Sequence, residues 1–67
     1  MEIFAERLKE LRLERNLSQK ALADAIGVSD IAVSRWESKT RIPNIEILKL
    51  IAEYFGVSSD YLIGLEN

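Results

Sequence analysis

Three hexapeptides carry one pattern: LSQKAL at 17–22, VSDIAV at 28–33 and VSSDYL at 57–62. In each, an apolar residue precedes a serine and a second apolar residue stands four positions after it. A serine just ahead of a helix accepts a hydrogen bond from a first-turn N–H that has no helical partner, and losing such a cap costs about 1 kcal/mol. The apolar pair closes around the cap as a staple and fixes the angle at which the chain enters the helix. Helix ends are equally marked. Gly27, Gly56 and Gly64 each follow an apolar stretch, where a left-handed residue is wanted to close the last turn. Pro43 followed by Asn44 gives a stop and then a new cap. These signals predict five helices, at about 2–15, 19–26, 30–38, 45–55 and 59–63.

Periodicity agrees. The first helix carries Phe4, Leu8 and Leu11 on one stripe, with Glu6 and Glu10, and Lys9 and Arg12, on other faces. The fourth carries Leu48, Ile51, Ala52 and Phe55, and no stretch alternates with the period of two that a strand requires. The expectation is one all-α domain over residues 1–67. A chain this short buries only roughly 60% of the surface its unfolded form exposes, so its core must be efficient. It has no cysteine and no histidine, which removes disulfides, thiolate metal sites and the commonest general base. Without a Gly-rich phosphate loop or a clustered carboxylate pair either, no catalytic constellation is present. No enzyme activity, cofactor or metal is therefore expected.

The second and third helices are short and joined only by Gly27, Val28 and Ser29. So tight a link suits a helix-turn-helix, spanning about 18–38, with the third helix steeply inclined to the second. Ala23 and Ala25 are the small residues expected where the two approach, and Val33 and Trp36 anchor the third helix to the core. Its other face then presents Ser29, Asp30, Ile31, Ser34, Arg35 and Ser38. A helix in the major groove of DNA reads bases through hydrogen-bonding side chains and apolar contacts to thymine methyls. Arg35 suits guanine O6 and N7, Ile31 suits thymine methyls, and Asp30 can accept from cytosine N4. A carboxylate at a helix N-terminus is also favoured for its own sake, and Ile31 could instead pack partly against the core. The net charge of −2 argues against nucleic acid at first sight. Its distribution is uneven, however. Residues 18–43 hold Lys20, Arg35, Lys39 and Arg41 against Asp24, Asp30 and Glu37, whereas residues 44–67 hold Lys49 against Glu46, Glu53, Asp60 and Glu66.

The stretch SQKALADAIGVSDIAVSRWESKTRIPN resembles the helix-turn-helix of the lambdoid phage repressors and Cro proteins, the Xre-like family of bacterial regulators. The resemblance runs from RLKELRLER upstream to IAEYFGVSSDYLIG downstream, nearly the whole chain. It implies a compact five-helix repressor-type DNA-binding domain with the motif at helices two and three. It also implies sequence-specific binding to a double-stranded DNA operator, most simply as a repressor. Ser29, Asp30, Ile31, Ser34 and Arg35 match the base-reading positions of the family. Gln19 matches a glutamine that grips a phosphate and braces a residue of the reading helix. Lys20 beside it and the loop Ser38, Lys39, Thr40 and Arg41 are implied phosphate contacts, the loop through both side chains and backbone N–H groups. Arg12 and Glu37 match an ion pair that ties the first helix to the end of the third. One departure stands out: many members have glycine where this chain has Lys39, and a lysine held in the left-handed region is strained.

One reading helix covers only a few base pairs, so a two-fold homodimer on a pseudo-palindromic operator is implied, with half-sites about 34 Å apart. Tyr54, Tyr61, Leu62, Ile63 and Leu65 form the candidate self-association surface, with Leu62 also suited to the core. A protein-binding module of the same fold, antitoxin-like, with its acidic C-terminal third holding a basic partner, is the alternative. No apolar run approaches the roughly 18 residues of a membrane span. The start MEIFAERLKE is charged where a signal peptide is apolar, so a cytoplasmic, nucleoid-associated location is expected.

Overall fold

The computed structural model describes residues 2–66 and contains five helices: α1 (Glu2–Glu14), α2 (Gln19–Ile26), α3 (Asp30–Glu37), α4 (Ile45–Phe55) and α5 (Ser59–Ile63). No strand occurs among the described residues. Ser18, Ser29 and Ser58 cap α2, α3 and α5, each hydroxyl oxygen accepting from the N–H three residues on, at 2.9 Å, 3.2 Å and 2.9 Å. The Asn44 side chain does the same for Ile47 at 2.8 Å and opens α4.

All five helices end alike. Asn16, Gly27, Lys39, Gly56 and Gly64 have φ of 57°, 78°, 71°, 69° and 89°. After each, the next N–H reaches back five residues: Leu17 to Arg12, Val28 to Ala23, Thr40 to Arg35, Val57 to Ala52 and Leu65 to Asp60. This is the hydrogen-bond pattern of a Schellman terminus, which satisfies carbonyls that the helix leaves open. The three glycines occupy their expected places. Asn16, not anticipated as a terminator, is the non-glycine residue best able to sit left-handed, and it ends α1 at Glu14 rather than near 15. Lys39 has no such aptitude, and its turn ends α3 at Glu37 rather than 38.

Each helix gives the core at least one side chain. Phe4 and Leu8 come from α1, Leu22 and Ala23 from α2, Val33 and Trp36 from α3, Ile51, Ala52 and Phe55 from α4, and Leu62 from α5. α2 packs against α3 and α4, while α1 packs against α3 and α5. Two sequence expectations are corrected. Ala25 lies on the solvent side of α2, two residues and half a turn from the buried Ala23. Arg12, read onto a polar face, continues the Phe4–Leu8 line, because residues four apart stack on one helix face, and it is buried.

Candidate nucleic-acid interface

Helix α3 has two chemically different sides. Val33 and Trp36 face inward and are 0% and 5% exposed, whereas Ile31 is 58% exposed. Asp30, Ser34 and Arg35 are also exposed, and none of the three side chains has a hydrogen bond or ion pair among the described residues. Ser29 differs, because its oxygen is engaged by Ala32 N–H as the cap and only its hydroxyl hydrogen remains to give. The five residues singled out for base reading thus lie together at the start and along the outer face of α3. Four of them have free side chains.

The loop after α3 winds back onto a single carbonyl. Arg35 O accepts Thr40 N–H at 3.0 Å and Arg41 N–H at 3.3 Å, and the Ser38 and Thr40 hydroxyls at 3.1 Å and 3.2 Å. The two hydroxyls also lie 3.0 Å apart. Ser38 N–H goes to Ser34 O and Lys39 N–H to Trp36 O. Every backbone donor from 38 to 41 is therefore used inside the loop, which corrects the expectation that these N–H groups reach a phosphate. The hydroxyls of Ser38 and Thr40 are likewise turned inward, and the exposed Lys39 and Arg41 side chains remain.

Behind this surface lies a three-helix junction. Arg12 of α1 meets the Glu37 carboxylate with two parallel bonds, Nε to Oε2 at 2.7 Å and Nη2 to Oε1 at 2.9 Å. Its Nη1 donates to Leu17 O at 2.8 Å. The side chains are 10% and 5% exposed, a fork geometry in which both groups are desolvated together. The hydrogen bonds it donates to Glu37 raise the Arg12 pKa above its ordinary value, against the opposing effect of burial. Gln19, the first residue of α2, donates from Nε2 to Glu37 Oε1 at 3.2 Å. Lys20 makes an exposed pair with Asp24 at 3.5 Å, a contact worth only a few tenths of a kcal/mol on a helix surface.

The two other arginines of α1 and its end, Arg7 and Arg15, are fastened to later parts of the chain. Arg7 donates to Tyr61 O and Glu66 O, and its guanidinium lies 4.3 Å from the centre of the Tyr61 ring. Arg15 donates to Tyr54 O at 3.0 Å and Phe55 O at 3.2 Å, and lies 5.2 Å and 5.0 Å from the two rings. Each arginine places its charge on the carbonyl end of a later helix, where cations are favoured, and stacks on an aromatic ring. The C-terminal surface proposed for self-association is thereby altered: Leu62 is fully buried and both tyrosines carry an arginine, while Leu65 is exposed. Two further isoleucines, Ile42 in the loop after α3 and Ile45 at the start of α4, are exposed at 57% and 84%. Both precede the buried stripe of α4, so periodicity gave no signal for them. Among the described residues, no His, Cys, Asp or Glu cluster could hold a metal ion, and no helix is long and apolar enough to cross a membrane.

Comparison with known proteins places this geometry. Residues 8–62 match the family model described as Helix-turn-helix. The HTH-type transcriptional activator BcrR of Enterococcus faecalis is 44% identical over 64 residues, covering 96% of this chain and 31% of that protein. The repressor protein C2 of Salmonella phage P22 is 34% identical over 62 residues, covering 92% of this chain and 29% of that protein. The chain spans well under two thirds of the length of the curated relatives it matches. The crystal structure of the P22 c2 repressor with a synthetic operator superimposes with a TM-score of 0.85 at 34% identity, over 92% of this chain and 94% of that one.

Proposed function

We propose that this chain, which belongs to the helix-turn-helix family of the lambdoid phage repressors, binds double-stranded DNA with α3 in the major groove. In this reading it regulates transcription as a repressor. The observation that carries it is the outer side of α3: an isoleucine and an arginine stand in solvent on a helix whose inner side is closed and braced at its last residue. A free guanidinium supplies a bidentate donor for guanine, and a free aliphatic group supplies contact for thymine methyls. The relative that superimposes over nearly the whole chain was crystallised with an operator, which supports the same use here. Lys39 and Arg41 then bind phosphates, as does Gln19.

The functional unit is a homodimer on a pseudo-palindromic site. Ile42 and Ile45 suit a two-fold contact, since Arg41 and Glu46 flank them with opposite charges and an isologous interface must be complementary to itself.

Selection from a random DNA pool at two salt concentrations tests the reading. The expected result is a symmetric motif with half-site centres about 10–10.5 base pairs, or a multiple of that, apart. Contacts to roughly 8 phosphates would give a salt slope near −7. No enriched motif, or binding without sequence preference, would overturn it and point to a protein partner of the antitoxin-like kind.

A further inference from the structure

We infer that Glu37, which lies behind the DNA-facing surface, is a positioning residue that aims the Gln19 amide at a phosphate. The inference rests on the DNA-binding reading above and names a residue in it that touches no DNA. A glutamine amide presents a donor at one end and an acceptor at the other, and only the donor suits a phosphate oxygen. Left free, the side chain samples several rotamers and both amide orientations, and a phosphate contact must then bear the cost of fixing one of them. An ionised carboxylate has only acceptors. Glu37 Oε1, 3.2 Å from Gln19 Nε2, therefore holds the NH2 end and turns the carbonyl oxygen away. The second N–H of Nε2 has no hydrogen-bond partner among the described residues and stays free to donate.

Two further features make this carboxylate suited to the task. Arg12 neutralises it through the paired bonds at 2.7 Å and 2.9 Å, so a negative group can stand behind a phosphate contact without repelling the DNA. Arg12 also holds Leu17 O at 2.8 Å, immediately ahead of the Ser18 cap, and so fixes the start of α2 from which Gln19 projects. The side chain that Gln19 meets on α3 is thus not one of the outward reading residues. It is the inner member of the ion pair, and the pair gains a role in binding beyond joining α1 to α3.

The test uses the full chain and the duplex recovered by selection, remade with one uncharged methylphosphonate at each phosphate of a half-site in turn. The wild-type chain should lose about tenfold or more in affinity at the one phosphate that accepts from Gln19. Gln19→Ala should erase that position's penalty and leave the others. Glu37→Gln should erase or greatly reduce the same penalty, and adding Glu37→Gln to Gln19→Ala should weaken binding no further. Because Glu37→Gln disturbs Arg12, the double substitution Arg12→Met with Glu37→Met provides a second chain without the buried charges, and the same position should fall silent in it. A Glu37-substituted chain that folds, by its thermal transition, and keeps the wild-type penalty would overturn the inference. So would a selected duplex in which no phosphate penalty depends on Gln19, even though DNA binding itself would then stand. Failure to select any duplex would instead overturn the underlying reading.

Discussion

Six cations divide into two sets of three. Arg7, Arg12 and Arg15 belong to α1 and its end, while Arg35, Lys39 and Arg41 belong to α3 and the loop after it. The first three each grip carbonyl or carboxylate oxygens of the protein itself. The side chains of the other three make no hydrogen bond or ion pair among the described residues. The sets are alike in charge and in number, so the difference lies in what stands within reach. α1 runs past the C-terminal ends of α3, α4 and α5, where open carbonyls and one glutamate await cations. The loop beyond α3 spends its backbone donors on Arg35 O and leaves its charged tips in solvent. A net charge of −2 therefore describes the surface around α3 poorly, because three of the nine cations are consumed as internal fastening and three others stand together on α3 and the loop after it.

The largest effect should come from the fastened set. Glu37→Ala leaves Arg12 buried without its partner and should destabilise the fold by about 3 kcal/mol or more, measured by urea denaturation. A loss under about 0.5 kcal/mol would mean that the ion pair holds nothing together. Arg35→Ala should do the opposite. Stability should stay within roughly 0.5 kcal/mol, while affinity for the selected duplex falls by about 1–3 kcal/mol and non-specific binding changes little. Equal losses on specific and random DNA would move Arg35 to the phosphate set. Ile31→Ala belongs with it: the fold should persist and discrimination at thymine positions should drop, read by substituting each base pair of the site. Arg15→Ala should remove about 1 kcal/mol of stability through the lost cap and ring contact, with DNA affinity of the folded chain unchanged. The smallest and most pointed change is Lys39→Gly. Relieving φ of 71° should raise stability by about 0.5–1 kcal/mol, while removing one cation from each protomer of the dimer should make the salt slope shallower by about 2. If salt dependence does not move, Lys39 lies off the DNA.

The same division marks what could be read from residues alone. Caps and terminators were legible because each is a local event in which serine or asparagine answers a donor three residues away, and glycine answers a backbone angle. The inner and outer sides of α3 followed from the spacing of Val33 and Trp36. The partners of Arg7 and Arg15 did not, since the acceptors are backbone carbonyls 39 to 59 positions distant. Every residue carries a carbonyl, so no side chain advertises the contact. Arg12 was legible through family resemblance and not through periodicity, which treats a charged residue as solvated even when it continues an apolar line. The Gln19–Glu37 bond needed the relative placement of α2 and α3, and Asn16 needed recognition that asparagine can stand where glycine usually does.

The caps and terminators also bear on how such a chain can change over generations. Starts at Ser18, Asn44 and Ser58 and ends at Asn16, Gly27, Lys39, Gly56 and Gly64 share no position with Asp30, Ile31, Ser34 and Arg35. Ser29 alone serves both sets. A lineage can therefore rewrite the four outward residues, one substitution at a time, without crossing an unfolded intermediate. Two descendants could share a superimposable backbone and yet, in the DNA-binding reading, be addressed to unrelated promoters, with position 29 confined to residues that can still cap α3.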